Sequence, residues 1–251
     1  MKASERIAVN PPEADKPSTI RGRFCMKISV VRNILEANER IAEQNKALFQ
    51  EHHLLVINLM SSPGAGKTTL LEKTIDALKQ DLRIGVIEGD IQSTSDAERI
   101  ARKGVPAVQI NTGGACHLDG NMIRETFPEF DFSRLDLLVV ENVGNLVCPA
   151  EFKVGEDFKV MILSVAEGDD KPSKYPLMFH ESRVLLINKM DLLPYVDCSV
   201  EKIIKDSLNI NPELAIFQVS CKTGEGLQDW YRWLQERVKE KSRAFKDESH
   251  G

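Results

Sequence analysis

The stretch SSPGAGKTTLLEKTI, Ser61 to Ile75, decides how this chain folds. It follows the apolar run LLVINLM (54–60) and leads into an amphipathic segment. Strand, glycine-rich loop and helix opening on Gly66-Lys67-Thr68 make up a phosphate-binding P-loop. The backbone N–H groups of such a loop and of the following helix N-terminus face anions, which the helix dipole also favours. Ser62, Gly64, Ala65, Gly66, Lys67, Thr68 and Thr69 are the candidate phosphate-binding residues. Lys67 would reach the β- and γ-phosphates and the Thr68 hydroxyl would hold Mg²⁺. Ser61 stands where the usual motif has its first glycine, although Gly64 remains.

Outward from the loop, short apolar runs alternate with amphipathic segments. Strands are expected at 54–60, 83–90, 107–112, 135–143, 159–168, 183–191 and 214–220, with helices between most of them and a closing helix over 224–241. Runs that are apolar on both faces and separated by helices predict an α/β fold with a mostly parallel central sheet covered on both faces. Ligands of such sheets sit at the carboxyl ends of the strands. The segment Ile28 to Phe49 carries apolar residues at helical spacing and predicts a leading helix. The expected organisation is a flexible tail at 1–24, one P-loop GTPase domain at 25–245 and a frayed tail at 246–251.

Composition narrows the function. A net charge of −5 excludes a nucleic-acid binder that works by neutralising phosphates. No uncharged apolar run approaches the ~20 residues of a membrane span. The polar start and five scattered cysteines predict a cytoplasmic protein without a disulfide framework.

Two later motifs identify the base. NKMD (188–191) ends a strand, and SCKTGEG (220–226) follows the next one. Asp191 can accept from both the N1–H and the exocyclic amine of guanine, a pair adenine does not offer. Asn188 can brace the loop, Lys189 can lay its stem along the base, and Ser220-Cys221-Lys222 can offer backbone N–H to guanine O6. GTP or GDP is the expected ligand. EGD (88–90) and ENVG (141–144) end two further strands, which makes Asp90 and Glu141 candidates for holding Mg²⁺ or orienting water. Lys67, Asp90 and Glu141 are the candidate catalytic residues. No glutamine is evidently placed to orient water, so slow intrinsic turnover is expected.

Cys116-His117 follows the third strand and Cys148 the fourth, so in a parallel sheet the two loops emerge beside the phosphates. Thiolate and imidazole suit Ni²⁺ or Zn²⁺. Spacing alone leaves this metal site open against two buried cysteines and a capping histidine. Three ligands fall short of a closed tetrahedral shell, which a second chain would complete.

In this order, SSPGAGKTT, IEGD, TGGACHLDG, ENVGNLVCP, AEGDDKPSKYP, NKMDLLP and SCKTGEG resemble the HypB family, GTPases that help insert nickel into nickel-iron hydrogenases. The match runs from about Ile28 to the last helix. The resemblance implies the dimerising, SIMIBI-type class of P-loop GTPases, a GTP-promoted homodimer, and a metal site at its interface built from Cys116, His117 and Cys148. It also implies a HypA-type nickel accessory protein as partner and, indirectly, the hydrogenase large-subunit precursor. The N-terminal C-x-x-C-G-C or His-rich stretch of some members is missing; only Cys25, His52 and His53 stand there. Two other functions fit parts of the pattern. A urease-type nickel GTPase carries a C-P-H triplet, whereas Cys116-His117 and Cys148-Pro149 are separate here. A regulatory GTPase switch would have structural cysteines.

Among the remaining residues, Asp119 reads as a helix cap rather than a ligand. Cys25, Cys198 and Cys221 read as isolated thiols, His180 as part of a polar turn, and Trp230 and Trp233 as core anchors. Lys171 and Lys174 fit either a nucleotide or partner contact or a solvated charge run.

Overall fold

A computed structural model of the chain describes residues 30–90 and 95–248. Seven strands form one sheet: β1 Leu55–Ser61, β2 Ile84–Asp90, β3 Ala107–Asn111, β4 Leu137–Glu141, β5 Phe158–Ser164, β6 Ser182–Asn188 and β7 Ala215–Gln218. Every pairing is parallel, in the order β3-β2-β4-β1-β5-β6-β7. Each strand lies inside or within a residue of its predicted run. The helices are α1 Val30–Glu51, α2 Lys67–Leu78, α3 Ser95–Ala101, α4 Gly120–Glu125, α5 Cys148–Glu151, α6 Lys171–Lys174, α7 Pro176–Glu181, α8 Val200–Ile210 and α9 Leu227–Glu248. The chain therefore has the expected α/β, P-loop NTPase architecture.

Alternate residues of the inner strands feed opposite faces, as a period of two requires. Leu55, Ile57 and Leu59 of β1, with Leu137 and Val139 of β4, pack under α2 and α9, where Trp230 and Leu234 are buried. Val56, Leu138 and Val140 pack under α1 and α4 with Phe49 and Ile123. Met161, Leu163, Leu185 and Ile187 pack under α7 and α8. Trp230 anchors the first layer further by donating from Nε1 to Thr74 Oγ1 at 3.1 Å, and Trp233 packs against the same layer.

The expected tail from 246 is shorter than predicted, because α9 continues to Glu248. Its sequence RVKEKSRAFKDE contains no glycine or proline to stop a helix. His180 lies in α7 rather than in a turn, exposed and 3.0 Å from Glu181. The expected tail at 1–24, Cys25, the first residues of the leading helix, and residues 249–251 lie outside the described residues. Among the described residues no helix is long and apolar enough to cross a membrane.

Candidate functional site

At the carboxyl end of β1 the chain turns into the P-loop. Gly64 and Gly66 both have positive φ, 75° and 105°, and a Cβ on Gly66 would lie 2.5 Å from Asn188 Nδ2. That position tolerates only glycine, for conformation and for space. Ser61 makes no such demand. It is fully buried as the last residue of β1, and its hydroxyl accepts from Lys67 Nζ at 3.1 Å and donates to Ser62 O at 2.6 Å. The departure from the usual motif therefore holds the P-loop lysine in place. Ser62 is held in turn by Glu167, whose carboxylate accepts from its hydroxyl.

The loop opens on a cleft of about 520 Å³ lined by Pro63, Gly64, Gly66, Lys67, Thr68 and Thr69 on one side. The other wall is the ends of β2 and β4: Glu88, Gly89, Asp90, Glu141, Asn142, Val143 and Gly144, with Arg99 and Lys189 at the edges. Thr68 Oγ1 donates to Glu141 Oε1 at 2.8 Å, which puts the hydroxyl and a carboxylate at one point. Hydroxyl and carboxylate oxygens are the ligands a hard cation such as Mg²⁺ prefers, so the donor set fits that ion. Glu88, 2% exposed, was not singled out in the sequence. Its signal was present: a period of two puts it on the same side of β2 as Asp90. Arg99 and Asn142 were missed as well.

The expected base side is assembled by Asn188. Its Nδ2 donates to Ala65 O at 2.9 Å and its Oδ1 accepts from Cys221 N at 3.2 Å, joining the P-loop to the loop after β7. Lys189, in left-handed conformation, donates from Nζ to Gly64 O at 2.7 Å. Asp191 accepts from Ser220 Oγ at 2.6 Å and lies 3.8 Å from Lys222 Nζ. The residues of NKMD and SCK thus converge beside the P-loop. Cys221 is buried, and burial pushes its thiol up to about 11. Lys171 and Lys174 both approach Asp170, at 3.8 and 2.5 Å, with Lys174 well exposed.

The second cluster lies next to the cleft. Cys116 Sγ is 2.9 Å from Cys148 Sγ and 3.5 Å from His117 Nδ1. One ligand atom from each of the three residues falls within 4.8 Å of the others. Cys116 is exposed and Cys148 half-buried, so neither is a core cysteine. His117 stacks on Phe152, ring centroids 3.8 Å apart, and burial lowers its basicity against the opposing charges of Asp119 and Glu151. The shift favours the neutral imidazole, the form that binds a metal. The hydrogen bond with Cys116, and then burial, raise the Cys148 thiol. A bound cation would reverse that shift, because coordination deprotonates a thiol. Two sulfurs and one imidazole nitrogen suit Ni²⁺ or Zn²⁺. Asp119 is committed elsewhere: it caps α4, accepting from Met122 N at 2.8 Å.

Cleft and cluster are physically joined. Asn142, 1% exposed on the cleft wall, accepts from Leu118 N, the residue after His117, at 3.0 Å.

Residues 55–218 match the family model described as CobW/HypB/UreG, nucleotide-binding domain. The chain is 47% identical over 234 residues to hydrogenase maturation factor HypB of Azotobacter chroococcum mcd 1, covering 93% of this chain and 76% of that protein. It is 49% identical over 208 residues to the factor of the same name from Escherichia coli (strain K12), covering 83% and 72%. The crystal structure of HypB from Helicobacter pylori in complex with nickel superposes with a TM-score of 0.77 at 40% identity, covering 81% of this chain and 96% of that one.

Proposed function

The chain belongs to the HypB family of hydrogenase maturation factors, within the CobW/HypB/UreG nucleotide-binding proteins, and from that premise we propose that it is a GTP-hydrolysing nickel metallochaperone. The observation that carries the proposal is the Asn142 link, which joins a nucleotide cleft to a thiolate–imidazole cluster through one buried side chain. The nickel complex of the Helicobacter pylori protein supports the choice of cargo.

In the proposed reaction the P-loop amides and Lys67 bind the β- and γ-phosphates, and Asp191 reads the guanine edge. Thr68, Asp90 and Glu141 would hold Mg²⁺, which when bound supplies positive charge against the phosphate oxygens. Glu88, Asp90 and Glu141 line the wall facing the γ-phosphate, placed to orient water for in-line attack. The bond between the γ-phosphorus and the β–γ bridging oxygen then breaks, giving GDP and phosphate.

Cys116, His117 and Cys148 would take Ni²⁺ or Zn²⁺ with a second chain completing the shell. A shift in the Glu141–Gly144 segment on hydrolysis would reach the metal through Asn142 and through Cys148, the switch element of a GTPase. A HypA-type accessory protein and, downstream, the hydrogenase precursor would be the partners, in the cytoplasm, where the thiols stay reduced.

The test is a Ni²⁺ titration of the purified chain with GDP and with a non-hydrolysable GTP analogue, following oligomeric state. A nucleotide-dependent dimer whose metal affinity differs between the two states is expected. Equal affinity in both states would refute the coupling. Metal binding unchanged in Cys116→Ala would favour a regulatory switch with structural cysteines.

A further inference from the structure

Helix α1 turns a buried stripe toward the rest of the protein at Asn38, Ala42, Asn45 and Phe49. Two of these four residues are asparagine, with Asn45 fully buried, and buried carboxamides persist where their hydrogen bonds are made. Asn38 Nδ2 donates to Lys153 O at 2.8 Å, and Asn38 Oδ1 accepts from Gly120 N at 2.7 Å. Asn45 Nδ2 donates to Gly120 O at 2.7 Å and to Val154 O at 3.2 Å, while its Oδ1 accepts from Arg124 Nε at 3.1 Å. Each asparagine thus grips the segment that follows Cys116-His117 and the segment that follows Cys148.

Two glycines let both segments reach the same turn of α1. A Cβ on Gly120 would lie 3.1 Å from Ala42 N; one on Gly155 would lie 2.8 Å from Asn45 Cβ and 3.1 Å from Ala42 O. From the sheet side, buried Lys159 donates to Pro149 O at 3.0 Å and Ala150 O at 2.5 Å, fixing α5, which begins at Cys148. Neither asparagine lines the nucleotide cleft.

We propose that α1 is the positioning element of the metal cluster: Asn38 and Asn45 clamp the Cys116–His117 and Cys148 segments to one helix and so set the spacing of the ligands. The proposal rests on reading that cluster as a metal site. It places control of metal geometry on a helix that touches neither metal nor nucleotide.

The test uses the full chain with Ni²⁺ alone as probe, comparing wild type with Asn38→Ala, Asn45→Ala and Asn45→Asp. Removing a group hydrogen-bonded directly to a metal ligand weakens binding by about 10–100-fold, and Asn38 and Asn45 act one step further out, through the chain segments next to the ligands. Each alanine variant should weaken Ni²⁺ about tenfold and shift the thiolate-to-nickel absorption, with GDP affinity within about twofold of wild type. Asn45→Asp keeps the acceptor for Arg124 but loses both donations, so it should behave like Asn45→Ala. Wild-type Ni²⁺ affinity and spectrum in the variants would overturn the clamp. Parallel loss of GDP and Ni²⁺ binding in both alanine variants would show general unfolding and overturn it too. A wild-type chain that binds no Ni²⁺ would instead overturn the metal reading beneath it.

Discussion

Replacing Asn142 with alanine should uncouple metal from nucleotide. The side chain accepts from Leu118 N and Val143 N, both at 3.0 Å, and donates to Asn58 Oδ1 at 3.1 Å. Its removal strands two backbone donors and one amide oxygen in a region where Asn142 and Asn58 are 1% and 0% exposed. At about 1 kcal/mol for each lost hydrogen bond, the variant loses about 3 kcal/mol of stability. For a protein of this size that lowers Tm by roughly 6–12 °C, so the assay runs well below the new transition. The quantity measured is the ratio of Ni²⁺ dissociation constants with GDP and with a non-hydrolysable GTP analogue. Couplings of this kind are typically about 1–3 kcal/mol, or about 5–150-fold. In Asn142→Ala the ratio should fall toward one while each nucleotide still binds. Thr74→Val serves as the control, since it strands Trp230 Nε1 in the core, lies in neither the cleft lining nor the cysteine–histidine cluster, and should leave the ratio intact. A full wild-type ratio in Asn142→Ala would refute the link.

Asp191→Asn should trade guanine for xanthine nucleotides, seen as a lost preference for GDP and gained binding of XDP; an unchanged GDP preference would remove Asp191 from base reading. Asp136 accepts from Arg83 N, Nε and Nη2 at 2.8, 2.9 and 2.6 Å, and that pairing holds its carboxyl below the usual range. A carboxylate with a depressed folded pKa stabilises above its unfolded value of about 3.9, and the benefit is lost as pH falls through the folded pKa. Asp136→Asn should therefore be less stable at pH 7 by at most about 1 kcal/mol, the pair being partly exposed, and the gap should shrink as pH falls below the unfolded value of about 3.9 in urea titrations. A gap that stays constant as pH falls through this range would contradict it.

Much of the architecture was legible because a parallel sheet writes itself as apolar runs, and a P-loop fixes which run comes first in the site. The convergence of Cys116 with Cys148 was legible only as a consequence of topology. Their loops follow β3 and β4, which flank β2 in the sheet, and bring Cys116 Sγ within 2.9 Å of Cys148 Sγ. Asp119 was legible as a cap because Asp directly before the helical stretch GNMIRETF satisfies a local donor. Asn38, Asn45 and Asn142 were not legible. Apart from Val143 N, next to Asn142, their partners lie 24 to 115 residues away and are mostly backbone atoms, which carry no side-chain signature. Glu88 could have been read from its place two residues before Asp90.

The Asn188 bridge has a consequence for how the two nucleotide states are told apart. By holding Ala65 O and Cys221 N together, with Lys189 on Gly64 O, it makes the purine and phosphate halves of the cradle one body before any ligand arrives. A preorganised cradle gives up little conformational freedom on binding. It presents the same shape to a diphosphate and a triphosphate. In the proposed cycle, discrimination between them would fall to the opposite wall, at the ends of β2 and β4, and that is the wall whose Asn142 accepts from Leu118 N beside Cys116 and His117.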